Sequence, residues 1–477
     1  MPVDRVQHAH MLSVSILVVK ARRGCRRVCQ PVHHHIREDV VEAYCVSEDA
    51  NQAVTWLFCS FSLVRSGTSV EVKECSDHAE RKTDLLIVGA GPFGLAMAAY
   101  AKHLGIEHLI VGKSMGFWKA NMPKGMYLRS ACDWHLDPLN VDTIEKFVGT
   151  RGLSTKDVEP LSLEFYLSYA QWFQEQKQVS VLPALVWKLD WNESEAFPFR
   201  AVMDNGENVV AKFVVVAVGF QYFKNLPSDL VKLLPEGRYS HTCDLVDFKE
   251  MTGKRCLIIG GRQSAFEWTA LMNEAGAVKI HLCYRHDSPV FAAADWSWIN
   301  PLIAATEENP GWFRNLSQQQ KDEIKSRLRA EGRLKVELWL KERVSNGRVK
   351  LWPKTRVENC CELSSGDLAV WMDNGQKITV DRIVLATGYK VDFRQVPFLQ
   401  GSKILDRLNI QDGFPELDEH FQSSVRGMFI TSMLATQLFG PFFAFTIAVR
   451  VSARLIGRAI FAEAHSRAEP PLAKATL

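Results

Sequence analysis

The chain has 477 residues, 47% of them hydrophobic and 23% charged, with a formal net charge of +3 at pH 7. That length leaves room for about three domains, and the composition is that of a globular protein able to build large cores. The near balance of charge excludes a nucleic-acid surface or a polybasic membrane patch as the organising feature, so partners have to be read from sites.

Eleven cysteines include no C-x-x-C pair, and five of them precede residue 80. Neither a disulfide framework nor a zinc ribbon is indicated for the main body, and reduced thiols predict a cytoplasmic setting. The apolar run Leu438 to Val449 is interrupted at Arg450 and is too short to cross a bilayer.

Residues 1 to 81 keep no sustained period of two or 3.6. They read as an N-terminal extension, disordered or a mis-assigned start. The run Met11 to Val19 has the length of a signal h-region, but Asp4 precedes it and no cleavage pattern follows. Cys25, Cys29 and His33 to His35 offer metal ligands, but an unstructured tract accounts for them better, and no metal site is predicted.

Regular organisation begins at Thr83. The buried-strand run Leu85 to Val88 meets a G-x-G-x-x-G turn at Gly89, Gly91 and Gly94, with Pro92 and Phe93 inside it, and a small-residue helix follows. In that context the first glycine makes the tight turn, the second admits a pyrophosphate, and the third lets helix pack on strand. A second parallel strand, His108 to Val111, should end in an acid for the ribose hydroxyls, yet Gly112 and Lys113 stand there. Residues 116 to 130 form a loop in which Pro123 and Gly125 prevent a helix. Pro160 to Phe173 predicts a helix with Leu163, Tyr166, Leu167 and Ala170 on one face.

Strands are expected at 179–183, 185–191, 199–203 and 209–219, with a hairpin at Asp204-Asn-Gly206. After a connector, 221–252, the pattern restarts. Lys254 to Ile259 is a strand, Gly260 to Ala265 a turn, Phe266 to Ala275 a helix and Lys279 to Tyr284 a strand. A tryptophan-bearing stretch, Asp295 to Phe313, and a charged helix, Gln318 to Val344, precede strands that close at Val384-Leu-Ala-Thr-Gly-Tyr389.

Three landmarks repeat. Met203-Asp-Asn-Gly206 and Met372-Asp-Asn-Gly375 lie 169 residues apart, as do Gly219 and Gly388, and the turns at Gly89 and Gly260 lie 171 apart. Two dinucleotide-binding units are therefore predicted. Two such sites in one chain imply hydride transfer from a nicotinamide to a flavin. At the second, Arg262 replaces the middle glycine, and Arg285 and His286 end the following strand. Each charge-assisted hydrogen bond to a ribose 2′-phosphate is worth about 1.5–3 kcal/mol, which favours NADPH over NADH by roughly ten- to a hundredfold.

Gly89-Ala-Gly-Pro-Phe-Gly, the loop at Phe117-Trp118, Gly260-Gly-Arg-Gln-Ser-Ala and Ala386-Thr-Gly-Tyr resemble the two-dinucleotide flavoprotein monooxygenases. These include the flavin-containing and the N-hydroxylating lysine and ornithine monooxygenases. The likeness covers about residues 83 to 460. It implies an α/β fold of two Rossmann-like domains, each with a small antiparallel meander, FAD-binding at 82–250 and 389–462 and NADP-binding at 251–388, with a tail from 463. It also implies reduction of FAD by NADPH, then a flavin C4a-(hydro)peroxide that oxygenates a nitrogen, sulfur or carbonyl centre of a small molecule.

By the same resemblance the flavin contacts are the first glycine turn, Trp118, Met126, Arg129, Ser130, Gly440 and Pro441. The nicotinamide nucleotide would meet Gly260, Gly261, Arg262, Gln263, Ser264, Ala265 and Arg285, with Thr387 and Gly388 in the closing strand. Asp295 to Trp298 is a candidate substrate wall. No catalytic acid or base is nominated, because the flavin carries the chemistry. Disulfide and ferredoxin-type reductases share the paired sites, and a disulfide reductase needs juxtaposed cysteines, which neither Cys132 nor Cys360-Cys361 supplies. A non-catalytic flavin-binding protein is the other alternative.

Overall fold

The computed structural model describes residues 80–466 and, before them, the backbone of six short strands between residues 18 and 74. The chain divides into two units, Met1–Ala79 and Glu80–Leu477. In the first, Val18–Lys20, Arg26–Gln30, Ala43–Val46 and Leu57–Cys59 pair antiparallel in that order, and Phe61–Ser66 pairs with Ser69–Glu74. Cys25 and His33 to His35 lie outside the described residues.

The second unit holds two parallel sheets. In the first sheet, β1 (Arg81–Val88) is flanked by β2 (His108–Val111) and, on its other side, by β6 (Asn208–Val216). The short strand β3 (Val181–Leu182) extends it beyond β2. Leu85, Leu86 and Ile87 are fully buried, as a parallel strand covered on both faces requires. The two halves of β6 have different partners. Its first half joins an antiparallel meander with β4 (Val186–Trp191) and β5 (Phe199–Met203), and its second half runs parallel to β17 (Met428–Ile430).

The second sheet repeats that plan. Its parallel order is β7 (Tyr239–His241), β16 (Arg382–Leu385), β8 (Arg255–Ile259), β9 (Lys279–Cys283) and β12 (Val349–Trp352). The meander is β13 (Val357–Glu362), β14 (Leu368–Met372) and β15 (Lys377–Val380). The two closing strands, β6 and β16, pair with the two opening strands, β1 and β8, in matching parallel registers. The internal repeat is thus a repeat of topology.

Four local expectations change. The connector 221–252 carries β7, which edges the second sheet. Residues Gly116–Asn121 form a short helix, α2, that ends before Pro123. The helix expected at 160–173 is α3 (Leu163–Lys177), started by Ser162, whose side chain accepts from the Phe165 N–H. The charged helix stops early. It is α5 (Gln318–Arg333), followed by β11 (Lys335–Val336), which pairs with β10 (Val290–Phe291). The helices behind the two glycine turns are α1 (Pro92–His103) and α4 (Gln263–Glu274), and α6 (Val449–Ser466) packs on α1.

Candidate functional site

The two glycine turns are built alike. Gly89 has φ +109°, and a Cβ there would stand 2.5 Å from the carbonyl oxygen of Ala217. Gly260 has φ +144°, and its Cβ would stand 2.3 Å from the carbonyl oxygen of Ala386. Each turn is pressed against the end of its sheet's closing strand, so glycine is required twice for one reason. Gly94 lets α1 close on β1. Its counterpart at the second turn is the buried Ala265.

Space remains over the first turn. A Cβ on Gly91 would have nothing within 4 Å. Neither α1 nor α4 has a capping side chain or an acid in its first turn, which leaves N–H groups and the positive helix end for an anion. Pro92 opens α1 and Phe93 packs into the core. Both turns therefore fit a pyrophosphate.

The missing ribose acid has a steric reason at Gly112. That residue has φ +132°, and a Cβ would lie 3.2 Å from the Ala90 nitrogen. The left-handed backbone and the tight approach to the first turn both favour glycine there.

Around the first turn, the Trp118 ring stacks on Tyr166 with centroids 4.9 Å apart. Tyr166 is fully buried, with its hydroxyl towards Thr446. Ser130 Oγ lies 3.2 Å from Thr446 Oγ1. Gly440, at φ +105°, introduces the turn Pro441–Ala444 that leads to Thr446. Trp118, Ser130 and the 440–446 segment thus gather at one flank. Thr387 and Gly388 are strapped to Asn225: the Thr387 hydroxyl donates to the Asn225 carbonyl at 2.5 Å, and Asn225 N–H donates to the Gly388 carbonyl at 2.9 Å.

Two further expected flavin contacts have protein partners. Met126 packs against the cores of both sheets. The Arg129 guanidinium is held by protein acceptors: Nε donates to Glu337 at 2.7 Å, and its two terminal nitrogens donate to the carbonyls of Gly332 and Glu331 at 2.7 and 3.0 Å.

At the second turn Arg262 has ordinary extended backbone, φ −112° and ψ −177°, so a side chain in place of the middle glycine costs nothing. The side chain reaches solvent. Lost hydration, then the charges of Arg333, Arg285 and Arg329, pull its pKa down to about 10. Arg329 and Arg333 were not anticipated, since arginines along a charged helix read as a solvated face. Among the described residues no carboxylate lies within 4 Å of these four guanidinium groups, and Asp287, next to Arg285, pairs with Lys354 at 2.8 Å.

Gln263, expected on the pyrophosphate, is turned inward. Its amide nitrogen donates to Glu267 at 3.2 Å and its oxygen accepts from the Glu337 N–H at 3.2 Å. Ser264 stays exposed. Glu267 is fully buried, accepts from Trp339 Nε1 at 2.9 Å, and is pushed up to about 7 by burial, against the pull of Trp339 and Arg343.

In the candidate substrate wall, Trp296 packs on Trp134 and Phe445 with centroids 6.1 and 6.0 Å apart, beside the 440–446 segment. Trp298 lies in the core. A cleft of about 750 Å³ lined by Arg81, Lys102, His108 and Pro183 sits near the start of β1 and β2, at the end of the sheet opposite to where α/β ligands bind.

Cys360 is buried and Cys361 exposed on β13, as alternation along a strand dictates. The two thiols face opposite ways.

Residues 86–310 match the family model described as pyridine nucleotide-disulphide oxidoreductase. An uncharacterized CzcO-like oxidoreductase of Geobacillus kaustophilus is 23% identical over 73% of this chain and 90% of its own length. The FAD-dependent urate hydroxylase of Xanthomonas campestris pv. campestris is 26% identical over 42% of this chain, which spans under half, 45%, of that relative. The ornithine N-hydroxylase of Kutzneria sp. 744, solved with reduced FAD, NADP+ and L-ornithine, superposes with TM-score 0.67 over 80% of this chain and 100% of its own, at 14% identity. The chain shares the fold of that hydroxylase, with the two dinucleotide-type α/β sheets that the sequence motifs predict. No described helix is long and apolar enough to cross a membrane.

Proposed function

We propose that this chain, a two-dinucleotide-binding flavoprotein by fold, is an FAD- and NADPH-dependent oxidoreductase acting as a monooxygenase on a small molecule. The observation that carries the reading is the duplicated turn: two strand-turn-helix units, each with an open helix N-terminus, one flanked by aromatic residues and the other by four arginines with no carboxylate within 4 Å among the described residues. When bound, the flavin would accept hydride from the nicotinamide and use that electron pair to reduce O2, one oxygen atom entering a nitrogen, sulfur or carbonyl centre and the other leaving as water.

The protein's part is placement. Gly89, Gly91 and Gly94 hold the FAD pyrophosphate against α1, and Trp118, Ser130 and the segment from Gly440 and Pro441 border the ring system. Gly260, Gly261, Ser264 and Ala265 hold the second pyrophosphate, and Arg262 and Arg285 select the 2′-phosphate. Thr387 and Gly388, tied to Asn225, fix the crossing between the units. Phe117, Phe220 and Tyr389 cluster beside that crossing and exclude water from it, which protects reduced flavin from unproductive release of peroxide.

A disulfide-reductase reading is disfavoured because Cys132 is buried without a partner cysteine and the Cys360 and Cys361 thiols diverge. The deciding experiment measures oxygen uptake, hydrogen peroxide release and product formation with NADPH across a panel of amines, amino acids, sulfides and purines. Product matched to oxygen uptake supports the monooxygenase. Quantitative peroxide with every compound contradicts it.

A further inference from the structure

The second dinucleotide turn is wired to the flavin loop through one side chain. Gln263, in that turn, accepts from the Glu337 N–H at 3.2 Å. The Glu337 carboxylate accepts from Arg129 Nε at 2.7 Å, and both groups are nearly buried, with side chains 8% and 15% exposed. Arg129 also donates to the carbonyls of Glu331 and Gly332, in the last turn of α5, and its guanidinium lies 5.1 Å from the Trp296 ring. The next residue along the loop, Ser130, meets Thr446 at 3.2 Å.

The last turn of α5 is therefore engaged on two sides. Its carbonyls hold Arg129, while its side chains Arg329 and Arg333 stand close enough to Arg262 to repel its charge. Among the described residues no carboxylate lies within 4 Å of these four arginines, so their charges would favour an anion between them. An anion seated among them would hold the last turn of α5, and with it the two carbonyls that Arg129 grips.

We infer that Arg129 is a positioning residue that transmits occupancy of the 2′-phosphate site, completed by Arg329 and Arg333 of α5, to the flavin loop. The inference rests on the NADPH reading above. Nicotinamide nucleotide carrying the 2′-phosphate then orders the flavin's surroundings, and nucleotide lacking it does not.

The test uses the full chain loaded with FAD and titrated with adenosine 2′,5′-bisphosphate or with AMP. Calorimetry reads affinity, and the flavin difference spectrum reads transmission. Wild type should bind the bisphosphate and shift the flavin spectrum, while AMP leaves the spectrum unchanged. Arg333→Gln and Arg329→Gln should each weaken bisphosphate binding by about tenfold or more with flavin content intact. Arg129→Lys should bind the bisphosphate within about threefold of wild type and lose most of the spectral shift. If Arg129→Lys does not hold flavin, Glu337→Gln decides by the same readout. A full spectral shift in the variant overturns the transmission, and unchanged affinity in both α5 variants overturns their place in the site. Failure of wild type to bind the bisphosphate overturns this inference and the NADPH reading together.

Discussion

A methyl group on Gly94 would lie 1.8 Å from the carbonyl oxygen of Gly89. The third glycine of the motif is thus fixed by contact with the first, whereas the second, Gly91, faces open space at an ordinary φ of −83°. Gly94→Ala must push α1 off its strand and should destabilise the protein by about 1–3 kcal/mol or more, read as a lower Tm. Gly91→Ala should leave the Tm of the flavin-free protein unchanged and reduce flavin uptake, because its methyl occupies the pyrophosphate's place. Full flavin content in purified Gly91→Ala would show that nothing binds over that turn.

Arg285→Ala should raise the KM for NADPH by roughly ten- to a hundredfold, the value of one charge-assisted contact, and leave that for NADH nearly unchanged. Steady-state kinetics with both nucleotides measure this. Equal losses would remove the 2′-phosphate from the cluster.

Glu267 makes stability depend on pH. Its carboxyl titrates at about 7 in the folded protein, raised by burial from an ordinary value of 4.5. Between those values the folded state holds a proton that the unfolded state has released, so stability falls as pH rises through the window. The penalty at pH 8 is on the order of 2–3 kcal/mol. Glu267→Gln should match wild type at pH 4.5 and exceed its Tm by several degrees at pH 8. Parallel pH profiles would contradict this.

Lys177 bridges two acids, its Nζ 2.7 Å from Asp137 and 2.8 Å from Asp142. Burial alone would raise the Asp137 carboxyl, but Lys177 and the N–H groups of Asp142, Leu139 and Val141 outweigh it and hold it below the usual range. A depressed carboxyl contributes stability above its unfolded value of 3.8 and loses it as pH falls through the folded value. Lys177→Met leaves the buried Asp137 carboxylate without a cation, while Asp142 keeps Lys146 at 2.7 Å, and should cost about 3–5 kcal/mol at neutral pH, a loss that shrinks on acidification. A denaturation midpoint unchanged at pH 7 would refute the role.

The glycine turns, both meanders and the 169-residue echo were legible because each depends on local chemistry: backbone that only glycine tolerates, Asn-Gly hairpins, and apolar runs of strand length. What stayed hidden was set by distant contacts. Three-residue β7 is too short to carry a periodic signal and exists through its pairing with β16. Nothing in the sequence near Arg129 announces Glu337, and the polar composition of α5 conceals that its last turn reaches Arg262. Gln263 sits at the expected place in its motif, yet its amide is engaged by Glu267 and the Glu337 N–H, which lie 4 and 74 residues away.

The central claim is that one chain passes reducing equivalents from a nicotinamide nucleotide to a flavin. Anaerobic mixing of the FAD-loaded protein with NADPH or NADH, followed by flavin absorbance, tests it most directly. The account predicts that the yellow flavin band bleaches, and at limiting nucleotide faster with NADPH than with NADH. A protein that binds FAD and keeps it oxidised in the presence of excess NADPH would contradict the account.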